Sequence, residues 1–340
     1  MAQFANGDLA RILLAVLGTP EKVKSYMEFS ALKGRTGEEM LRFAHLREFD
    51  EIVIPAAKPD VQAEFKNNSL LPYEYRCGFH PDARPFSVQR LRPLTQRTDL
   101  NEFLVVHYVE PVKGRDACNG LFMEVIVCPQ CFFASTEQKH FITKNPERGE
   151  DFKSDFNPSQ KTLNYIFDKR AERLAVGKGV MDLFSPVKTH KTALTAFELA
   201  VMSMKAIHDS SPARYNRYPT LIAMMYLQSA QLCRESGDKA REETCLRAAF
   251  DMLKNAEELG RENPRVFYKN ILRVVKLALH FGDIQTASRF ASDLVQMKIQ
   301  SIQLLRNRQI SEPEYRIIAG FAERAVDQLH DYKEMTEYKI

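Results

Sequence analysis

From residue 191 to its C-terminal end, the chain keeps the residue spacing of amphipathic helices almost without interruption. Apolar residues recur three or four positions apart between Ala193 and Met204, and again between Leu221 and Ala230. This period places the apolar side chains on one face of a helix. A pattern sustained over this length predicts that the C-terminal half is all helical.

Two stretches of this helical half share one skeleton, in which a Gly-Asp pair separates two helices. The pairs are Gly237-Asp238 and Gly282-Asp283. Glycine can end a helix in the left-handed conformation, aspartate can cap the next helix, and alanines let antiparallel helices approach closely. The skeleton indicates helical hairpins of tetratricopeptide type, with a period of about 45 residues that exceeds the usual length of about 34. An irregular helical bundle that uses the same turn twice is the alternative.

The sequence changes character before the helical half. From residue 73 to residue 133 the helical period is absent, and short β-branched and aromatic runs, such as 103–109 and 122–127, predict strands. We therefore predict an α+β fold, mainly α, in which a small zinc-ribbon-like β module precedes a domain of antiparallel helical hairpins. The predicted parts are an N-terminal helical segment over 1–65, the β module over 66–140, a connecting segment over 141–190 with one helix at 160–174, and the helical domain over 191–340.

The six cysteines favour reduced thiols. They are spread over 340 residues, which is too sparse for a disulfide scaffold, and no export signal accompanies them. Because no apolar run has the length that spans a bilayer, we expect a cytoplasmic protein. Cys233 and Cys245 fall on apolar faces of predicted helices, where free cysteine acts as a small buried hydrophobe. The other four lie in the β module: Cys77, Cys118, Cys128 and Cys131.

Two short segments of the β module carry paired metal ligands. Cys128 and Cys131 enclose two residues, and so do Cys77 and His80. This spacing is that of a zinc knuckle, in which a tight turn directs both side chains at one ion. We predict that Cys77, His80, Cys128 and Cys131 form a tetrahedral zinc site. Four protein ligands leave no coordination position for water, so the expected role of the zinc is structural.

Three alternatives to this site stay open from the residues alone. Cys118 can replace His80 as the fourth ligand, or the module can be free of metal. Cys128 and Cys131 can instead form a redox dithiol, which requires an acidified cysteine at the start of a helix. The residues after Cys131 do not have the pattern of a helix start, and Phe132 stands where knuckles often carry a small residue able to adopt a positive φ.

The order of these features resembles a known family. An opening ligand pair with arginine-rich strands comes first, then the acidic Asp99, then the strand end that carries Cys128 and Cys131, and then the helical segments 223–230 and 234–238. In this order they resemble the uncharacterised bacterial proteins called domain of unknown function 2225. The resemblance covers about residues 73–300 and implies a zinc-ribbon-like module followed by tetratricopeptide-like helices, in cytoplasmic proteins without an assigned activity. Two positions depart from the family pattern, because His80 replaces its second cysteine and Phe132-Phe133 replaces its Gly-Tyr.

Charge and motifs narrow the classes of function. The 48 Lys and Arg exceed the 44 Asp and Glu by a net charge of +4, which is small for a dedicated nucleic-acid binder. The sequence contains no phosphate-binding loop, metalloprotease motif or nucleophile elbow, so no catalysis is identified. The leading hypothesis is a cytoplasmic adaptor or scaffold whose helical groove binds a protein or peptide partner. The oligomeric state stays open.

Two alternative functions remain. One is a nucleic-acid-binding regulator that uses the arginines of the β module, between which aromatic residues lie as in binders of single strands. Acidic residues of the same module largely offset this charge. The other is a redox protein that uses Cys128 and Cys131. The arginines concerned are Arg76, Arg84, Arg90, Arg92, Arg97 and Arg115.

Overall fold

The computed structural model describes residues 69–79, 84–144, 151–152, 156–178, 180–185, 187–256 and 263–337. The predicted N-terminal helical segment over 1–65 lies outside the described residues. The strands are β1 (Leu70–Cys77), β2 (Phe86–Leu91), β3 (Gln96–Leu100), β4 (Val106–Pro111), β5 (Ile126–Val127), β6 (Ala134–Ser135), β7 (Phe141–Lys144) and β8 (Asp151–Phe152). The α-helices are α1 (Gln160–Asp168), α2 (Arg170–Lys178), α3 (His190–Ser210), α4 (Tyr218–Ser236), α5 (Lys239–Lys254), α6 (Pro264–His280), α7 (Ile284–Arg306) and α8 (Glu312–Glu337).

The predicted class, α+β and mainly α, is confirmed. The strands form antiparallel pairs in three small sheets, with the orders β2-β1-β7-β8, β3-β4 and β5-β6. Alternation along β1 places Tyr75 and Cys77 on one buried face. Cys77 is the last residue of β1 and lies opposite Phe141 of β7. Among the described helices, none is both long and apolar enough to cross a membrane.

The Gly-Asp turns have the predicted geometry. Gly237 has φ of 78° and Gly282 has φ of 72°, so both lie in the left-handed region that glycine tolerates. Asp238 accepts a hydrogen bond from the amide of Arg241, and Asp283 caps α7 in the same way. The backbone amides of Asp238 and Asp283 each close the preceding helix, with hydrogen bonds of 2.9 and 2.8 Å to carbonyls five residues earlier. The same local chemistry therefore connects α4 to α5 and α6 to α7.

Buried apolar side chains form two cores. The first combines the four-stranded sheet and the β5-β6 pair with α1 to α4, and the second lies among α4 to α8. Helix α3 anchors the first core to the sheet because the Ser203 hydroxyl accepts a hydrogen bond of 3.0 Å from the Ala134 amide of β6. Helix α4 contributes residues to both cores. The sheets and the helices are thus packed against each other through α3 and α4.

The run 103–109 is only partly the predicted strand. Strand β4 begins at Val106, and Phe103 and Val105 are buried in the second core at the turn between β3 and β4. This turn lies between α4 and α6. Arg273 of α6 donates hydrogen bonds to the carbonyls of Phe103 and Leu104 at 3.3 and 2.7 Å. We call residues 101–105 the hairpin tip. These residues do not form a regular strand, because they contact the helices instead.

Two further predictions were wrong in detail. The run 122–127 is not one strand, because residues Gly120–Met123 form a 3-10 helix that is capped by the Asn119 side chain. The predicted helix 160–174 is two helices, α1 and α2, separated at Lys169. The reason is that α2 turns toward the β5-β6 pair, where the buried Arg170 donates a hydrogen bond of 2.7 Å to the Gln130 carbonyl.

Candidate metal centre

The turn between β5 and β6 has the geometry of a zinc knuckle. The Phe132 amide donates to the Cys128 carbonyl at 2.8 Å, and the Cys128 amide donates to the Phe133 carbonyl at the same distance. The Phe133 amide donates to the Cys131 sulfur at 3.4 Å. Phe132 adopts a φ of 54°, so this bulky residue takes the positive φ that the turn requires. Its buried ring packs in the first core, which offsets the backbone strain.

Cys77 reaches this turn through the pairing of β1 with β7. Gly78 follows it, and a Cβ atom at Gly78 would lie 2.8 Å from the carbonyl oxygen of His140. The missing side chain therefore lets the end of β1 approach the backbone just before β7. This close approach carries Cys77 to the same place as the β5-β6 turn, although about 50 residues of chain separate the two segments.

Three sulfur atoms meet at this point. The Sγ atoms of Cys77, Cys128 and Cys131 all lie within 4.8 Å of one another, and all three residues are buried. Cys77 Sγ and Cys131 Sγ are 3.7 Å apart. Sulfur ligands of a tetrahedral zinc ion, at about 2.3 Å from the metal, stand about 3.8 Å apart. The cluster can therefore hold a metal ion of this size without a change in the position of these two atoms.

The structure describes only one of the two further candidate ligands, and that residue lies away from the cluster. His80 falls outside the described residues. Cys118 is not part of the sulfur cluster, and its sulfur instead lies 3.8 Å from the Asn119 carbonyl oxygen. Cys233 and Cys245 are buried on α4 and α5, as predicted for small hydrophobes. The structure thus brings together three of the four predicted ligands.

Burial controls the protonation of these thiols. Removal from water raises the pKa of Cys77 well above its ordinary value, and the neighbouring thiols raise it further. Burial also raises the pKa of Cys128. The pKa of the first cysteine of the Cys128–Cys131 pair is therefore shifted in the direction opposite to that of the acidified cysteine that a redox dithiol requires. The residues after Cys131 also enter strand β6 rather than a helix.

Helix α2 covers the sulfur cluster. A Cβ atom at Gly177 would lie 2.0 Å from Cδ1 of Phe132, so the helix backbone rests directly on the knuckle. Arg170 and Arg173 of the same helix are buried. Burial lowers the pKa of Arg173, whereas negative charge on Cys131, Cys77 and Cys128 acts to raise it. From the sequence, both arginines are expected on a solvated face of the connecting helix, and this expectation is wrong because α2 packs on the knuckle and buries them.

A buried histidine near the cluster is fully engaged in hydrogen bonds. His140 Nδ1 lies 2.7 Å from the Ser135 hydroxyl, and His140 Nε2 lies 3.0 Å from the Tyr218 hydroxyl. Burial lowers the pKa of His140 to about 3, so the ring is neutral. Ser135 is also fully buried, so the pair has no exposed face on which a substrate could dock. The network ties β6 to α4 and lies outside the sulfur cluster.

Several arginines of the β module make contacts within the chain. Arg90 donates to the Glu124 carbonyl at 2.7 Å, and Arg97 pairs with Glu110 across β3 and β4. Arg92 lies 3.5 Å from the Leu70 carbonyl. In each of these contacts the guanidinium group lies against an oxygen atom of the β module itself. No contact of these arginines specifically favours the nucleic-acid hypothesis.

One family model matches more than half of the chain. Residues 108–312 match the family model described as an uncharacterised protein conserved in bacteria, DUF2225. The match begins later than the resemblance predicted, so it includes Cys128 and Cys131 but not Cys77. No curated protein and no solved structure matches the chain significantly. Because the matched stretch covers more than half of the chain and agrees with the resemblance seen in the sequence, the protein belongs to the DUF2225 family.

Proposed function

We propose that the protein is a cytoplasmic protein-interaction adaptor in which a structural zinc ion joins the β module to the helices. The observation that carries the proposal is the convergence of Cys77, Cys128 and Cys131 on one buried point within a knuckle-type turn. Reduced thiols in this arrangement favour a soft, tetrahedral divalent cation. His80 is the proposed fourth ligand, since its spacing from Cys77 is that of a knuckle pair.

A metal at this position would hold three parts of the fold together. Cys77 ends β1, Cys128 and Cys131 flank the β5-β6 turn, and α2 covers the turn. A zinc ion bound by four protein ligands has no open position, so its contribution is to stability. We propose that the chain is divided into four parts, over 1–65, 66–140, 141–190 and 191–340. The zinc site would lie near the junction of the two middle parts.

The proposed zinc site is tested by the metal content of the full chain, purified without a histidine tag. We expect one zinc per chain in the unmodified protein, measured by inductively coupled plasma mass spectrometry. The double variant Cys128→Ser/Cys131→Ser is expected to contain none, because two ligands are lost. Cys118→Ser is the matched control and keeps its zinc, since Cys118 lies outside the cluster. His80→Ala is expected to retain zinc less firmly during dialysis against a chelator.

Two outcomes would contradict this assignment. Unmodified protein that carries no zinc, even after reduction and reconstitution with the ion, would remove the structural site. Loss of zinc from Cys118→Ser with retention in His80→Ala would instead replace His80 by Cys118 as the fourth ligand. The adaptor part of the proposal needs a separate test.

The helices supply the proposed interaction surface. Helices α7 and α8 pack against each other and are linked by an ion pair of 2.7 Å between Lys298 and Glu323. Ile299 of α7 and Val326 of α8 carry aliphatic side chains that are 57% and 46% exposed. A helix face that presents aliphatic side chains to water can bind an apolar face of a partner helix or peptide. Ile299 and Val326 support contact with a protein partner at this end of the helical domain.

This surface is tested by capture of partners with the full chain as bait, followed by mass spectrometry. We expect a reproducible protein partner whose recovery falls at least about tenfold with Ile299→Ser/Val326→Ser, because binding loses apolar contact area. The matched control is Val109→Ser, which removes an exposed aliphatic side chain from β4. The adaptor proposal is wrong if no partner recurs, and the surface is wrong if both variants recover the partner equally.

A further inference from the structure

A buried arginine next to the sulfur cluster lacks the partners that a buried cation needs. Arg173 lies in α2 and is 1% exposed. Its Nη2 donates a hydrogen bond of 2.9 Å to the Ile166 carbonyl. Its Nε and Nη1 have no hydrogen-bond partner among the described residues. A guanidinium held away from water in this state is strongly unfavourable unless an anion balances it.

The position of α2 shows where such an anion would lie. Arg170, Arg173 and Gly177 follow one another at helical spacing, and so share one face of the helix. Arg170 donates to the Gln130 carbonyl inside the knuckle, and Gly177 touches the ring of Phe132 just after it. Arg173, between these two contacts, is therefore directed at the same turn. No carboxylate of a described residue pairs with Arg173, and the ionisable groups close enough to act on its charge are the thiols of Cys131, Cys77 and Cys128 together with the guanidinium of Arg170.

We propose that Arg173 is the buried counter-cation of the thiolate metal centre, with its Nε and Nη1 groups facing the sulfurs. The proposal rests on the metal binding proposed above. When a divalent cation binds, the three thiols release three protons, and three thiolates with one divalent ion carry a net charge of −1. The positive charge of the Arg173 guanidinium offsets this negative charge. The charge of the centre and the charge of Arg173 are thus complementary when the metal is bound.

The same charge count predicts how Arg173 acts on the metal. Its N–H groups and its charge stabilise the thiolates, so the arginine holds the ligands in their metal-binding form. Without a metal-bound thiolate centre, the Nε and Nη1 groups of the buried guanidinium have no partner among the described residues, so Arg173 then destabilises the fold. Arg173 is a positioning residue for the centre, and it couples the retention of metal to the docking of α2 on the knuckle.

The test compares unmodified protein, Arg173→Met and Arg173→Lys as full chains. Zinc affinity is measured by competition with a chromophoric chelator at fixed pH. We expect Arg173→Met to bind zinc about 10- to 100-fold more weakly, the range for loss of a group that supports metal ligands. Arg173→Lys is expected to recover most of this loss because it restores the charge. The matched control is Arg265→Met, which removes an exposed arginine at the start of α6.

Two further readouts separate this role from a merely structural one. In cobalt-loaded protein, the sulfur-to-metal charge-transfer band is expected to shift in Arg173→Met, because the field on the sulfurs changes. Arg173→Met is also expected to lower the thermal unfolding temperature of the zinc-loaded protein but not that of the metal-free protein. Equal zinc affinity and an unchanged band would overturn this proposal alone. Unmodified protein that binds no metal would overturn the proposed zinc site, and this proposal with it.

Discussion

Replacing Phe103 by alanine is expected to lower the free energy of unfolding by about 3 to 5 kcal/mol, the usual cost of removing a fully buried phenylalanine. Phe103 is 3% exposed and belongs to the core formed by α4 to α8, although it lies far before these helices in the chain. Its ring packs edge-on against His280 at 5.4 Å, and the guanidinium of Arg234 lies 5.9 Å from its centroid. The truncation would leave a cavity between α4 and α6.

The measurement is chemical denaturation of the full chain, followed by far-UV circular dichroism. Leu100→Ala is the matched control, since Leu100 lies in the same hairpin but is 45% exposed, and it is expected to change stability by less than about 0.5 kcal/mol. Equal effects of the two substitutions would contradict the role of the hairpin tip. A large effect of Phe103→Ala alone would show that the helical domain is incomplete without this part of the β module.

Replacing Gly177 by alanine is expected to destabilise the protein by about 1 to 3 kcal/mol, although alanine ordinarily favours a helix. The added Cβ atom would lie 2.0 Å from Cδ1 and 2.3 Å from Cε1 of Phe132. This ring is buried and cannot move aside, because Phe132 is itself part of the knuckle. The substitution must therefore push α2 away from the sulfur cluster.

Gly320→Ala provides the opposite control. Gly320 lies within α8, and among the described residues no atom beyond the neighbouring backbone of this helix lies within 4 Å of the position that its Cβ would occupy. Alanine is expected to stabilise this helix by about 0.5 to 1 kcal/mol. Thermal unfolding of both variants, each loaded with zinc, measures the difference. A stabilising effect of Gly177→Ala would contradict the close packing of α2 on the knuckle.

The hairpin tip contacts the helices that would line the predicted groove. The sequence predicts that helical hairpins leave a groove for a partner. In the structure, the space between α4 and α6 is contacted by residues 101–105, and Arg273 binds two backbone carbonyls there. Binding of a partner in the groove stays a prediction, and we propose a second surface for the adaptor that the hairpin tip does not contact. The exposed aliphatic residues Ile299 of α7 and Val326 of α8 form this second surface.

The sequence by itself determined the features that depend on a few neighbouring residues. The Gly-Asp turns at Gly237 and Gly282 were predicted because the glycine, the capping aspartate and the helix that each ends lie within one short segment. The pairing of Cys128 with Cys131 in a knuckle was predicted for the same reason. Mainly helical content followed from a period that is repeated over many turns.

Only the tertiary structure decided which distant segments meet. The strand predicted at 103–109 yields to the hairpin tip because two of its apolar residues are buried among helices far along the chain. The single helix predicted at 160–174 divides because α2 packs on the knuckle, where a glycine is needed against Phe132 and two arginines become buried.

The meeting of Cys77 with the knuckle likewise depends on the pairing of β1 with β7 and on the close approach at Gly78. Local propensity acts over a few residues, whereas burial and charge balance depend on neighbours that only the complete fold supplies.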